Sequence, residues 1–525
     1  MNRCGWGSGV VLAWVWGLCL GAFWASAQGV AAQPTAVAAA PAPAPVSRPN
    51  IVWIVVEDMS AHFSCYGEKL IETPHVDRLA REGVRFSKAF VTAPVCSASR
   101  SALITGCYQT TIGAHHHRSG RGELKIHLPG EVTPLPVLMR SAGYYTCIGE
   151  AQVKKQTAKG GQAKAGAGKA GLGKTDYNFE WPREMYDGND WSGRKPGQPF
   201  FMQVQLHGGK YRGQASNANW RERVTQTLGG VTRPQDVVLP PYYPRDEVLL
   251  QDWADYLDAC RFTDHEVGQV LERLKREGLA DQTWVFFLTD HGISHARGKQ
   301  FLYDEGMHVP LVVRGPGLAG GAVRTDLVEH IDLAATTLGL AGAAKPAWMQ
   351  GRDLLARDYA AREAVFAARD RCDETMDRIR AVRTERYKYI RNYMNQRPHL
   401  QPCRYKDDKA IVQRLRELHA QGKLDALIDR LLFAPQRPAE ELYDLQADPH
   451  EVNNLAADPT HAQTLNDLRA RLSQWEERTQ DRGRQPEPAA MYDSDMRAYL
   501  GEGRKRNQEL ERNIELNRRW ASEGK

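Results

Sequence analysis

Two pairs of adjacent side chains carry the first chemical signal. Glu57 and Asp58 directly follow the apolar run NIVWIVV (50–56), and Asp290 and His291 directly follow WVFFLT (284–289). Both runs are short and rich in β-branched or aromatic residues, as buried parallel strands are. Ligands of open α/β sheets bind beyond the carboxyl ends of the strands. Three carboxylates and one imidazole are therefore expected to converge on one point. Carboxylates held together repel unless a cation lies between them. An oxygen-rich set favours a hard ion such as Ca²⁺ or Mg²⁺, while His291 leaves Mn²⁺ or Zn²⁺ open. Spacing alone leaves a plainer alternative, in which Glu57 and Asp58 cap the next segment.

A second signal is Cys96-Ser97-Ala98-Ser99-Arg100, between the alternating strand VRFSKAF (84–90) and a helix ending at Gly106. A cysteine at a helix N-terminus sits in a positive field that favours anions. Arg100 lies one turn on, on the same face. Taken alone, this stretch is better explained by a structural cysteine or half of a disulfide. Further polar residues sit after other predicted strands: His207 and Lys210 after FFMQVQL (200–206), Lys299 shortly after His291, and Lys174 and Asp176 in LGKTDYNF. Singly, each reads as a surface lysine or a satisfied histidine; their common placement is what makes a site.

The elements that must position these residues alternate strand and helix. Thr73 is placed to cap a helix with Pro74 at its first position. Thr133–Gly143 predicts another helix before the strand YYTCIG (144–149). Arg245–Gly278 predicts a long amphipathic helix or helix pair, with Leu249, Trp253, Leu257, Cys260, Val267, Val270 and Leu274 on one face. This order implies an α/β fold, a large mainly parallel (mixed) sheet flanked by helices, over residues 48–358. From about 359 to 485, AVFAARD, IRAVRTERYKYIRNY and ELYDL predict a smaller α+β domain with an antiparallel sheet. Residues 486–525 read as a charged helical tail. The stretch 150–173 is Gly/Ala/Lys-rich, with little to bury, and reads as a flexible insertion.

Composition bounds the function. The chain has 525 residues, a net charge of +6 and 25% charged residues, with a mean hydropathy of −0.53. Global disorder and a polytopic membrane protein are excluded. A concentrated basic face for nucleic acid is absent. Arg3, the apolar run to Trp24 and the Ala25-Ser26-Ala27 step form a secretory leader (1–27), too short for a stable membrane anchor. An Ala/Pro-rich linker follows (28–47). Export would place the chain in an oxidising compartment. The seven cysteines left after the leader are an odd number, spaced neither as a disulfide scaffold nor as a CxxC zinc site.

Together the motifs RPNIVWIVVEDMS, ETPHVDRLAREGVRFSKAF, CSASRSALITG, PFFMQVQLHGG, FLTDHG, GKQFLYDEGMHVPLVVRGPG and ELYDLQADPHEVNNLA, spanning Arg48 to about Thr479, resemble the formylglycine-dependent type I sulfatases of the alkaline-phosphatase superfamily. The EDMS, AHHHRSG and ARDRCDE stretches are similar to heparan N-sulfatase-like members.

The resemblance implies a hydrolase of sulfate esters or N-sulfates on a sulfated sugar. In the family, the cysteine at the place of Cys96 is oxidised to formylglycine by a maturation enzyme, and its hydrate attacks sulfur. Arg100 would hold the hydrate, Lys174 would lower its pKa and Lys299 would pair with the sulfate. His207 would be the general acid. Glu57, Asp58, Asp290, His291 and the modified Cys96 would bind one divalent cation, most often Ca²⁺. Asp176, His115, His117, Asp370 and Arg371 are expected substrate contacts. The sequence departs from the family in having Glu57 for a common Asp, His291 for a common Asn, Asp176 for a common His, and Ala98 for a common Pro. Rival readings are a phosphomonoester or phosphonate hydrolase on the same fold, which the Asp290-His291 pair favours, and a non-catalytic glycan-binding relative.

Overall fold

The computed structural model describes residues 48–150, 171–212, 217–501 and 507–525. The leader, the linker and most of the 150–173 insertion lie outside the described residues. Strands β1 (Asn50–Val56), β2 (Val84–Phe90), β3 (Tyr145–Glu150), β4 (Phe200–Leu206), β5 (Thr283–Thr289), β6 (His308–Arg314) and β7 (Ala322–Arg324) form one sheet in the order β3-β4-β1-β5-β6-β2-β7. A short β8 (Val328–Glu329) also pairs β2. The β3-β4-β1-β5 half is parallel, and β6 runs antiparallel to both β5 and β2.

β1 is central because both of its faces are apolar. Val52, Ile54 and Val56 pack on one side with Val285 and Phe287 of β5, while Ile51, Trp53 and Val55 pack on the other with Trp284, Phe286 and Leu288. One helix, Glu247–Arg276, and helix α1 (Pro74–Glu82) cover the first face. Helices α2 (Cys96–Thr105) and α3 (Leu135–Ser141), with helix Asp332–Leu340, cover the second. Helix Glu247–Arg276 is continuous. It also holds α1 in place: the buried Asp264 carboxylate accepts the backbone N–H groups of His75 (3.2 Å) and Val76 (2.7 Å). The hydroxyl of the expected cap, Thr73, instead accepts the Ser64 backbone N–H (2.9 Å) and donates to Asp77 Oδ1 (3.3 Å).

The C-terminal region carries a separate antiparallel sheet, β12-β11-β10-β9, of β9 (Val365–Arg369), β10 (Ile379–Arg383), β11 (Tyr387–Asn392) and β12 (Glu440–Asp444). Helix Ala462–Arg478 packs on it through Leu465, Leu468, Leu472 and Trp475. The last segment is helical, Ala489–Gly501 and Asn507–Ser522, and buries Tyr492, Met496, Leu510 and Ile514 in one cluster. No described helix is long and apolar enough to cross a membrane.

Candidate active site

The carboxyl ends of β1 and β5 are locked in register, with Val56 opposite Thr289. Asp290 donates its backbone N–H to Val56 O (2.8 Å), and Met59 donates to His291 O (3.1 Å). The two side-chain pairs that follow the strands are thereby forced together. Asp58 donates its backbone N–H to Asp290 Oδ1 at 3.1 Å, and His291 Nε2 lies 3.2 Å from Asp58 Oδ1 and 3.5 Å from Asp290 Oδ1. The turn after β4 fits beneath them only because it is Gly208-Gly209. A Cβ on either would collide with the carbonyl oxygens of Glu57 and Asp58.

Helix α2 starts at this point. Its Cys96, 2% exposed, sits where free backbone N–H groups give the helix its positive end. Cys96 Sγ is 3.2 Å from His291 Nε2, 3.1 Å from Lys299 Nζ and 3.8 Å from Asp58 Oδ1. Two ligand-grade triplets, Asp58-Cys96-His291 and Glu57-Cys96-Asp290, each hold their donor atoms within 4.8 Å of one another. Arg100 Nε donates to Asp290 Oδ2 at 2.9 Å, and its Nη1 reaches Gln205 and Lys174 O. Lys174 and Lys210 both pair with Glu57, and Lys174 Nζ is 3.4 Å from Asp176. Lys299 Nζ bridges both oxygens of Asp58 at 3.1 and 3.2 Å.

The charges shift one another strongly. Burial raises the Cys96 thiol, but Lys174, Lys299 and His291 outweigh it and hold the thiol below its ordinary pKa. Burial opposes ionisation of Asp58 and Asp290 as well. Lys299 and His291 nevertheless hold Asp58 well below the carboxylate range, and His291 and Arg100 hold Asp290 at about 2. His291 is lifted to about 9 by Asp290 and Cys96 against its burial. A buried cluster of this kind is a functional-site signature.

Backbone strain gathers in the same place. Asp58, Arg118, Asp176, Gln300 and Asp373 all have φ between 49° and 79°. Non-glycine residues in this left-handed region cost of order 1–3 kcal/mol each and persist where surrounding structure imposes them. Arg118 N donates to Ser97 Oγ (2.9 Å), which also bonds His117 Nδ1 (2.7 Å). Burial pushes His117 down to about 3, so its ring stays neutral beside the helix start.

The structure thus brings together Glu57, Asp58, Cys96, Arg100, Lys174, Asp290, His291 and Lys299, with Asp176 and His117 at the edge. His207 stands outside the cluster. It is exposed, its ring lies edge-on to Tyr211, and it lines a cavity of about 360 Å³ with Gln205 and Glu266. Three of the expected substrate contacts already have protein partners. Asp370 is paired with Arg380 (3.1 Å), and Arg371 with Glu487 (2.6 Å) and Asp495 (2.7 Å). His115 is buried, with its ring tilted against that of His116 at 4.2 Å between centroids. These side chains are engaged in packing the C-terminal segment. Tyr405 was missed altogether: its hydroxyl is 3.1 Å from Asp58 Oδ2 and 3.0 Å from Lys299 Nζ. It lies on a short helix, Arg404–Asp407, beyond β11, where no strand end flags it. Lys210 carried only the weak signal of following β4.

Comparison with known proteins settles the kinship. The sulfatase family model matches residues 49–343, more than half of the chain. The chain belongs to the sulfatase family. A model of the N-sulphoglucosamine sulphohydrolase C-terminal region matches 291–431. Among curated sulfatases, an ulvan-active sulfatase of Formosa agariphila is 32% identical over 82% of this chain and 74% of its own length. Human N-sulphoglucosamine sulphohydrolase is 27% identical over 83% of this chain and 91% of its own. The fold is shared with BT4656, solved in complex with its substrate D-glucosamine-2-N,6-O-disulfate (TM-score 0.55, 18% identity, 83% of this chain and 98% of that one). It is also shared with a phosphonate monoester hydrolase from Silicibacter pomeroyi (TM-score 0.53, 18% identity, 82% and 96%). The sulfatase is accordingly a sulfuric ester or sulfamate hydrolase.

Proposed function

We propose that the protein is an exported, metal-dependent sulfatase that removes sulfate from a sulfated sugar through a formylglycine made from Cys96 by a maturation enzyme. The observation that carries this reading is the convergence of Cys96 with four ligand-grade side chains and three lysines at one end of the sheet. The donor set fits a hard divalent cation, most simply Ca²⁺. Within each triplet, Asp58-Cys96-His291 and Glu57-Cys96-Asp290, the donor atoms lie within 4.8 Å of one another, close to twice the 2.3–2.6 Å of a Ca²⁺–oxygen bond. Glu57, Asp58, Asp290 and His291 would hold the ion, which when bound polarises the sulfate oxygens as a Lewis acid. The aldehyde, once formed at position 96, supplies as its hydrate both the nucleophile for sulfur and the hydroxyl that later releases sulfate.

The remaining work falls to the chain's own groups. Arg100, fixed by Asp290 and Gln205, orients the residue-96 oxygens. Its remaining donor, Nη2, is buried with no hydrogen-bond partner among the described residues. Lys174 and Lys299 put positive charge beside those oxygens and favour their deprotonation. Lys299 is also placed to neutralise the sulfate. His207, exposed one residue beyond β4, is the proposed proton donor to the departing oxygen or nitrogen.

The test is the ratio of kcat/KM on an aryl sulfate to that on the matched aryl phosphate, in wild type and Cys96→Ala. The reading expects sulfate to be preferred and the sulfate rate to vanish in the variant while the fold persists. Preference for phosphate would move the chain to the phosphohydrolase reading. A sulfate rate that survives Cys96→Ala would remove the nucleophile.

A further inference from the structure

Beyond β11, the short helix Arg404–Asp407 carries Tyr405, and Lys409 follows, one residue ahead of helix Ala410–Ala420. The Tyr405 hydroxyl touches Asp58 and Lys299, so this wall of the C-terminal region reaches the catalytic cluster itself. Two ammonium groups lie against the Tyr405 ring: Lys299 Nζ at 4.5 Å from the centroid and Lys409 Nζ at 5.0 Å, which bounds their separation at 9.5 Å. That span matches two anionic substituents on one sugar ring or on adjoining rings.

The two lysines differ in what they face. Lys299 is buried and held by Asp58, Cys96 and Tyr405. Lys409 is half-buried, and among the described residues no carboxylate lies within ion-pairing distance of its Nζ. Its electrostatic neighbours include two further cations, Arg212 and Lys299. Burial and then Arg212 push its ammonium below the ordinary lysine value, with Lys299 adding to the push and Asp58 and Asp252 opposing it. A half-buried cation beside other cations is stabilised by an incoming anion.

We propose that Tyr405 and Lys409 form a subsite that reads a second anionic group, a further sulfate or a uronate carboxylate, on the sugar that carries the scissile sulfate. This inference rests on the sulfatase reading of the neighbouring cluster. Tyr405 supplies an apolar face for the sugar and fixes Lys299, while Lys409 pairs with the second charge. Charged partners that meet in a desolvated cleft discriminate against analogues lacking the charge.

Calorimetric binding separates this inference from the catalytic reading, because it does not require turnover. The probes are glucosamine 6-O-sulfate, glucosamine 2-N,6-O-disulfate and a 6-O-sulfated glucosamine joined to an unsulfated uronic acid, titrated into wild type, Lys409→Met and Lys409→Arg. Wild type should bind at least one two-anion probe tenfold or more tightly than the monosulfate. Which one is preferred identifies the second anion as sulfate or carboxylate. The preference should fall to about twofold in Lys409→Met and return in Lys409→Arg. Equal affinity of wild type for all three probes, or a preference that survives Lys409→Met, would overturn the subsite. Turnover of 4-nitrophenyl sulfate in the same wild-type preparation reports on the sulfatase reading separately.

Discussion

Around Cys96, three carboxylates, an imidazole and a thiol are buried within a few ångströms, and their mutual repulsion is offset by Arg100, Lys174, Lys210 and Lys299. Such a cluster exchanges stability for a site that gains much from one more positive ion. Chelation of the divalent cation is therefore expected to reduce the rate on an aryl sulfate at least a hundredfold. It should also lower the unfolding temperature, and added Ca²⁺ should restore both. Differential scanning fluorimetry and initial rates on the same chelated sample check this; a chelated enzyme with full rate and unchanged stability would exclude a cation at Asp58 and Asp290. Glu57, Asp58, Asp290, His291 and Cys96 were legible because each follows a strand or starts a helix, and a strand end has few places to point its next side chain. His117 was among the expected contacts of the site, but Tyr405 was not predictable as a partner of the cluster. Its approach depends on how the C-terminal region docks, which no local pattern encodes. The partners of Asp370 and Arg371 were hidden for the same reason, since they lie ten residues away in β10 or beyond residue 480.

The elements themselves were read well where burial dictates period. β1 and β5 are nearly continuous apolar runs because both faces are covered, and helix Glu247–Arg276 shows its stripe over its whole length. Caps were harder, because the acceptor can come from elsewhere in the chain, as Asp264 does for α1. Another such long-range acceptor is Glu374, which joins the β9–β10 connection to the C-terminal helices. Its Oε1 accepts from Arg404 N (2.7 Å) and Asn513 Nδ2 (3.1 Å), while Oε2 is buried without a partner. Burial, with Asp373 adding to it, lifts the Glu374 carboxyl to about 7. A carboxyl raised in the folded state contributes stability below its unfolded pKa and loses it as pH rises through the folded value. Glu374→Gln, which keeps the acceptor and does not titrate, should thus gain on wild type between pH 5 and 8.5, by up to about 3 kcal/mol. Thermal melts of the two proteins across that range check the sign. A gap that narrows as pH rises would mean Glu374 is ionised in the fold at low pH.

At the scale of the molecule, the catalytic sheet and the C-terminal sheet are joined by buried ion pairs as well as by apolar packing. Arg371 is the clearest: fully buried, it is held between Glu487 and Asp495, and Asp495 also accepts the backbone N–H groups of Gly120 and Gly122 (both 3.2 Å). Removing one partner of a buried pair leaves a stranded charge and costs about 3–5 kcal/mol. Asp495→Ala should show a loss of this size by denaturant unfolding, with Asp495→Asn less affected; a change under about 0.5 kcal/mol, the range of ordinary surface substitutions, would show the C-terminal helices to be dispensable for this contact. The sequence reading separated the charged C-terminal segment from the rest because Arg-rich helices look solvated; here their apolar side and a few acids bind inward. The same architecture delivers Tyr405 to Asp58 and Lys299, so the active site is complete only with both regions in place. All of this serves the residue at position 96, and its chemical state is the most direct measurement of the account. Mass spectrometry of the tryptic peptide spanning Cys96, taken from a preparation that hydrolyses an aryl sulfate, should find the thiol replaced by an aldehyde or its hydrate. An unmodified Cys96 thiol throughout an active preparation would contradict the mechanism.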